Sequence, residues 1–449
     1  MKEQQKAYAT YLAFDWSDET HRFALRAADC DQPTEGDLKN RPEEMHDWFL
    51  ELRKRFPEGK IAVILEQGRG SLLYFLRTLD YVVIFAVNPK AVARYREAFQ
   101  VSGCKDDPTD TLLMLDLLYK HHQQLRPVEA DEESVEALRM LVEARRGLVD
   151  ERTKLVQKLN ENLKAYYPQA IDWVGDLTSL QACDFLNRWP DLLILKRAKP
   201  HQIRTFYHQH RSRQKVEERI KQIVESRPLT TEKAIIISYG HVTKALANAI
   251  KQLTLSIKDI DKEIRQTYAQ FPDRELYNSV PGAGEVLEPR LAAFMGTDRQ
   301  RFNSAIEIQN ASGISPVTKK SGATKVVLHR YACSKFDKQT FHEFAACSIS
   351  WCDWAKAQYR YLTKERGKSH HAAVRALAYK WIRILFRCWK NHVLYDEEIY
   401  LKALRRRNSP VLKYITPNKM VFTNKVDAAP NKAHQPEVIS EFLSSTKTF

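Results

Sequence analysis

The chain has 449 residues, 43% of them hydrophobic and 10% aromatic. That is enough apolar material for two or three packed domains and too much for a disordered chain. Lysine and arginine outnumber aspartate and glutamate 71 to 56, a formal charge of +15, which favours a polyanionic partner. No apolar run reaches the roughly eighteen residues of a membrane span, and the opening MKEQQKAYAT has no apolar signal core, so neither insertion nor secretion is expected. The seven cysteines are odd in number, scattered and without a C-x-x-C. They are expected to be reduced thiols in a cytoplasmic protein.

In chain order, Tyr8–Asp15 is aromatic and β-branched enough for a strand, with His21–Ala27 as its hairpin partner. Glu43–Phe56 has helical spacing. Ile61–Glu66 and Val82–Val87 are short continuous apolar runs, expected as strands buried on both faces. Ser71–Leu79 and Pro108–Leu118 are expected helices. Together these predict a mixed α/β domain over residues 1–130. Residues 131–272 change character. Val135, Leu138, Val142, Val149, Val156, Leu159 and Leu163 recur at spacings of three, four and seven. Leu246, Ile250, Leu253, Ile257, Ile260 and Ile264 do the same in a second helix, which predicts a coiled-coil seam. An intramolecular helical hairpin and a dimerisation arm fit that seam equally well. Between the two helices, residues 168–230 predict short helices broken at Pro168, Pro190, Pro200 and Pro228. Residues 273–407 predict a mostly helical domain. Residues 408–449 carry four prolines and no periodicity, and predict a flexible tail.

Two constellations carry chemistry. The first is acidic. Asp15 and Glu66 each end an apolar strand, where a carboxylate gains nothing from packing. Parallel neighbouring strands place both at one sheet edge. Asp107 and Asp110 open a helix on one face, three residues apart. Four converging acids need cations, and oxygen-only donors suit Mg²⁺ or Mn²⁺. Asp107 before Pro108 is equally a good helix cap. The second constellation begins at Ser279-Val280-Pro281-Gly282-Ala283-Gly284, a turn of the helix-hairpin-helix type. Its backbone N–H groups at Gly282 and Gly284 suit a phosphate, and a tight turn with no ligand is the alternative. Downstream, Ser321 lies between Lys319-Lys320 and Gly322, with Lys325 and Arg330 following. A hydroxyl on a Ser-Gly turn flanked by cations can serve as a nucleophile.

Charge is segregated. Residues 1–60 carry 10 basic and 13 acidic side chains, and residues 311–407 carry 20 basic and 7 acidic. Within that block Arg375, Arg383 and Arg387 fall at helical spacing, a stripe suited to a phosphate backbone. The aromatics beside them (Tyr379, Trp381, Phe386, Trp389) are expected in the core.

These constellations, in this order, resemble the DEDD-type insertion-sequence transposases, the family that includes the pilin-gene invertases. The resemblance rests on Asp15 and Glu66 after strands and on Lys105, Asp107 and Asp110 as K-x-D-x-x-D. It rests also on Ser279–Gly284, Arg301–Ala305, Gly313–Pro316 and Ser321-Gly322. It implies a RuvC-like, RNase H-fold domain at residues 1–130, a helical and coiled-coil region at 131–272, and a C-terminal transposase domain at 273–407. It implies Ser321 as the nucleophile, with Asp15, Glu66, Asp107 and Asp110 holding Mg²⁺. It further implies donor and target DNA, a structured noncoding bridge RNA as guide, and a homo-oligomer, dimer or tetramer, in a bacterial or archaeal cytoplasm. The sequence departs from the family at Asp18, where a lysine is usual, and at Arg330–Phe336, which lacks the usual Gly-Asn. The acidic set alone also fits a metal-dependent RuvC-like nuclease or junction resolvase that uses activated water. A non-enzymatic nucleic-acid binder, with the acids only capping helices and edges, is the third reading.

Overall fold

Ile61–Leu65 is apolar at every position, so both of its faces must be covered. In the computed structural model, which describes residues 8–28, 30, 32–66, 70–99, 107–128, 132–322 and 324–415, this segment (β4) lies inside a five-stranded sheet. Strands β1 (Thr10–Asp15), β2 (Thr20–Ala27) and β3 (Thr34–Lys39) form an antiparallel meander. Strands β4 and β5 (Val82–Ala86) run parallel to β1, giving the order β3-β2-β1-β4-β5. Side chains alternate across the pleat. Leu12, Phe14, Val63 and Leu65 pack with Phe49 of α1 (Pro42–Arg55) and Leu72 of α2 (Ser71–Leu76). Tyr11, Ala13, Ala62 and Ile64 pack on the opposite face with Met114 and Leu118 of α4 (Asp107–His121). Helix α3 (Pro89–Phe99) precedes α4.

Two elements of this unit escape a pattern-based reading. The sequence of β3, Thr-Glu-Gly-Asp-Leu-Lys, buries one residue, Leu38. It is a charged edge strand, the kind that resists further pairing. Among its described side chains, helix α3 has one fully buried apolar residue, Val92.

The chain divides into two compact units after Ala137. In the second, the expected seam is an intramolecular hairpin. Helix α5 (Glu133–Tyr166) and helix α11 (Lys233–Ala269) run antiparallel: Arg145 is ion-paired with Asp261, Arg152 donates to Thr254, and Asn162 donates to Thr243. As the first number rises the second falls in step, the signature of an antiparallel pair. Between them the proline-broken stretch forms five short helices: α6 (Gln169–Val174), α7 (Leu180–Arg188), α8 (Leu192–Arg197), α9 (Pro200–Gln209) and α10 (Val216–Glu225). Trp173, Phe185, Trp189, Phe206 and Tyr207 build their core.

The C-terminal part contains α12 (Arg274–Asn278), α13 (Gly284–Met295), α14 (Ala305–Ala311), a two-stranded hairpin β6 (Val317–Ser321) and β7 (Thr324–Leu328), then α15 (Lys335–Trp351), α16 (Asp353–Arg360), α17 (His370–Asn391) and α18 (Glu397–Arg406). The hairpin is a strand pair in a region expected to be mostly helical. Trp354, Trp381 and Trp389 are fully buried. Each indole N–H donates to a defined acceptor: Tyr395 Oη at 2.7 Å, Ser348 Oγ at 2.8 Å and the Gly296 carbonyl at 2.8 Å. Buried tryptophan needs such a partner, and the core assignment of Trp381 and Trp389 holds. Pro410–Tyr414 forms a 3₁₀ turn, and the predicted tail from residue 416 on lies outside the described residues. Six cysteines are free thiols, and Cys104 lies outside the described residues. Among the described residues no helix is long and apolar enough to cross a membrane.

Thr243 is fully buried in the α5–α11 pair. Its Oγ1 accepts from Asn162 at 2.8 Å and bonds the Tyr166 hydroxyl at 2.8 Å. Thr243→Val keeps the shape and deletes both bonds. It should cost about 1–3 kcal/mol in urea unfolding followed by tryptophan fluorescence.

Candidate functional site: an acidic sheet edge and a cationic hairpin

Asp15 ends β1 and Glu66 follows β4. Phe14 is in register with Leu65, so the two acids are lateral neighbours at the C-terminal edge, one strand spacing apart. By the pleat's alternation both take the face that carries Ala13 and Ile64, the face covered by α4. The ring of Tyr11 lies 5.1 Å from Tyr119 and 5.7 Å from His122. The start of β1 therefore meets the end of α4, and α4 runs back along the strand. Nine helical residues from Tyr119 to Asp110 and four strand residues from Tyr11 to Asp15 each span about 13 Å. Asp110 thus arrives at the height of Asp15, on the helix face that carries Met114 and Leu118.

The electrostatics of this edge are specific. Asp110 is buried and ion-paired with Arg96 of α3. Arg22 stands directly opposite Asp15 in the β1–β2 register, and its guanidinium bonds Glu35 at 3.1 Å and Asp37 at 3.2 Å. His21 is fully buried, accepts from the Ser17 N–H at 3.3 Å, and burial holds its imidazole below its ordinary pKa. Asp107 is the first residue of α4, and its side chain lies outside the described residues, as do Lys105 and Asp106. Among the described residues no three His, Cys, Asp or Glu side chains close into a set that could hold a metal ion. Register and helix rise set Asp15, Glu66 and Asp110 toward the same end of the sheet.

Ser321 is the last residue of β6. It pairs with Thr324 across a two-residue turn whose Gly322 has φ +54°. A left-handed first turn residue is what a tight hairpin turn requires, and glycine adopts it without strain. Nearly the whole hairpin is exposed, including Ser321, Lys319, Lys320 and Lys325. Val326, Val327 and Leu328 are exposed too, at 45%, 60% and 40%. A lone two-stranded ribbon is marginal in water, so its base must hold it. Arg330 does this: Nε donates to the Ser315 carbonyl at 3.0 Å and a terminal N–H donates to Asn310 Oδ1 at 3.0 Å. The sequence offers Arg330 as a phosphate contact, whereas here its guanidinium ties the hairpin to α14. Gly313, with φ +71°, admits the Cys333 thiol so closely that a Cβ there would overlap it.

The hairpin base also holds groups that sequence reasoning misses. His329 is flanked by Lys338 and by Arg375, whose N–H lies 2.9 Å from His329 Nδ1. Burial lowers the pKa of both His329 and Lys338, and each also feels the charge of Arg375. His342 on α15 packs 5.7 Å from His371 on α17. Burial, then His371 and Arg375, push His342 down to about 4. Lys338 and Arg375 thus crowd His329 in one cationic basin. Arg383 and Arg387 project from the exposed side of α17, while Arg375 is partly buried against His329. The predicted stripe therefore splits into two exposed cations and one basin residue.

The glycine turn proves to be divided as well. Gly282 has φ +82°, and a Cβ there would lie 2.9 Å from the backbone of Ser348 on α15. Close helix approach accounts for this glycine. Gly284, φ +57°, opens α13 with nothing within 4 Å of where a Cβ would be. Ser279 accepts from the Tyr395 N–H at 2.9 Å, and Ser304 caps α14. Most of the turn's sequence is explained by packing and capping.

Residues 12–168 match a family model described as a transposase, the DEDD type named for IS110. Residues 274–360 match the transposase IS116/IS110/IS902 family. The mini-circle putative transposase for IS117 of Streptomyces coelicolor is 29% identical over 345 residues, covering 75% of this chain and 83% of its own. The putative transposase y4uE of Sinorhizobium fredii is 27% identical over 218 residues, covering 46% and 60%. An uncharacterized 44.8 kDa protein of insertion element IS116 from Streptomyces clavuligerus is 24% identical over 286 residues, covering 63% and 70%.

Gly282→Ala should destabilise the protein by about 2–4 kcal/mol, combining a disfavoured backbone with overpacking. Gly284→Ala should cost about 1 kcal/mol from backbone conformation alone. Urea denaturation of the two variants checks the difference. His342 is neutral in the fold and gains a proton on unfolding below its ordinary pKa of about 6.5. Its contribution is therefore present above that value and is lost as pH falls toward about 4. The slope should reach at most about 1.4 kcal/mol per pH unit. His342→Gln should flatten the pH dependence of unfolding free energy over that window.

Proposed function

Because the chain belongs to the DEDD-type insertion-sequence transposases, we propose that it moves DNA by phosphoryl transfer, with Ser321 as nucleophile and a divalent metal held by Asp15, Glu66, Asp107 and Asp110. The observation that supports this reading is the β1–β4 register, Phe14 beside Leu65, with α4 packed on the sheet face that carries Ala13 and Ile64. A sheet in which the fourth and fifth strands run parallel to the first, after an antiparallel meander, supports the RuvC-like, RNase H-fold reading.

Asp15, Glu66, Asp107 and Asp110 would hold a hard divalent cation through oxygen donors, with Asp110 giving up its ion pair with Arg96. When bound, such an ion lowers the charge on a phosphodiester and on its leaving oxygen. The chain's own residues do the rest. Ser321 Oγ bonds to phosphorus, the bond from phosphorus to one deoxyribose oxygen breaks, the serine loses its proton and the leaving oxygen gains one. A deoxyribose hydroxyl of the target strand reverses the step and frees the serine. Lys319 and Lys320 offset charge on the non-bridging oxygens. Lys325 and the Lys338–Arg375 basin hold the flanking backbone, with Arg383 and Arg387 beyond them. Donor and target DNA are the substrates. A structured noncoding RNA that pairs with both is the guide, and a homo-oligomer brings the acids of one subunit to Ser321 of another.

A carboxylate centre of this type also works with activated water, and the DEDD match, residues 12–168, contains all four acids and excludes Ser321. One assay separates the two chemistries. The protein is incubated with its element-end DNA, target DNA and flanking transcript, with and without Mg²⁺, and products are resolved under denaturing conditions. The serine reading expects a covalent protein–DNA species that Ser321→Ala abolishes while duplex binding changes less than about twofold, and that Asp15→Ala reduces by at least about 10²-fold. Hydrolysed ends without adduct would assign the reaction to water.

A further inference from the structure

Residues 169–273 fall between the two family matches, and they contain a surface that the chemistry above does not use. From Lys196 to Lys215 the chain carries seven lysines and arginines and no acid. Arg204 is bonded to Glu217 at 2.6 and 2.8 Å, which fastens α9 to α10. Lys196 donates to the Ser226 carbonyl at 2.7 Å, which sets the end of α8 beside the end of α10. The remaining five, Arg197, Lys199, Arg211, Arg213 and Lys215, are exposed. Two of them precede α9 and three follow it. Helix α9 is ten residues long, so the two groups stand about 15 Å apart.

The helix between them is cleanly divided. Ile203, Phe206 and Tyr207 are buried in the core with Trp173, Phe185 and Trp189. The opposite side presents His201, Thr205, His208 and Gln209, all exposed. It offers hydrogen-bond donors and acceptors, with neither a carboxylate nor a large apolar side chain. The loop after α9 is fixed: Arg211 and Lys215 are left-handed, the Ser212 N–H donates to the Tyr207 carbonyl at 2.9 Å, and Arg219 donates to Ser212 Oγ at 3.3 Å. Arg213 lies between them on a held backbone.

We infer that α9 is a DNA-reading helix that enters the major groove of a duplex, with Arg197 and Lys199 on one strand's phosphates and Arg211, Arg213 and Lys215 on the other's. The B-form major groove is about 12 Å wide and admits one helix, so cations about one helix length apart straddle it. Glutamine, threonine and histidine are side chains that bond base edges. The same face does not suit duplex RNA, whose major groove is too deep and narrow to be read. The family assignment enters only in making DNA the partner.

The test uses the full-length protein carrying Gln209→p-benzoylphenylalanine, photolysed with a mixed-sequence DNA duplex about two helical turns long, or with the RNA duplex of that sequence. A protein–DNA cross-link is expected, lost on adding Arg211→Gln, Arg213→Gln and Lys215→Gln together. In equilibrium titrations the triple variant should lower the slope of log affinity against log salt by about 2.7, some 0.9 for each phosphate released. No cross-link to DNA, a stronger one to RNA, or an unchanged salt slope overturns the inference. Both readouts are independent of Ser321. Loss of adducts with the cross-link intact sinks the serine chemistry alone, and the reverse result sinks the reading helix alone.

Discussion

Parallel pairing of β1 with β4, in the register that sets Phe14 beside Leu65, is the constraint from which the acidic edge follows. The pairing is enforced by burial. Leu12, Phe14, Val63 and Leu65 face one helical layer, and Tyr11, Ala13, Ala62 and Ile64 face the other. A slip of one residue would exchange the two sets and put Tyr11 where Leu12 packs. Register is thus held by two cores at once. Asp15 and Glu66 inherit their adjacency from it. The Tyr11–Tyr119 contact fixes the third coordinate, the height at which Asp110 meets the sheet.

The hairpin obeys the opposite logic. Ser321 is carried on a ribbon with almost no core of its own. Its position is set from the base, where Arg330, Gly313 and Cys333 lock the strands to α14. This anchoring brings cationic crowding around His329, from Lys338 and Arg375. The carboxylate nearest in sequence to Lys338, Asp337, turns toward Arg139. Burial first, and then the charge of Arg375, lowers the pKa of both His329 and Lys338.

Much of this was readable from residue pattern. The apolar runs at Ile61–Leu65 and Val82–Ala86, the proline-broken stretch and both long helices follow from periodicity and burial. Asp15 and Glu66 stand out because a carboxylate directly after an apolar strand has no packing reason to be there. What escaped has a physical cause in each case. Strand β3 hides its alternation because one face is solvent and its neighbour is charge. The β6–β7 hairpin has lysines where a half-buried strand would show apolar residues. His329 meets Lys338 and Arg375, and His342 meets His371, through tertiary contact that no spacing along the chain foretells. Gly282 and Arg330 were legible as special residues but not in kind, since a turn glycine and a loop arginine have the same sequence signature whether they touch phosphate or another helix.

Charge segregation between the two units has a chemical use. An acidic edge repels DNA at its own surface, and each of its carboxylates opposes the approach of a phosphodiester until a cation neutralises them. Affinity must come from elsewhere, and the sequence places the surplus cations after residue 311 and between Lys196 and Lys215. Binding and bond-breaking then depend on different groups and respond to different conditions. Screening by salt weakens the cationic surfaces steeply, because every phosphate contact releases counterions. In the proposed reaction the acidic edge answers to divalent cation instead. On the proposed reading, holding DNA and breaking its strand then rest on separate charge clusters.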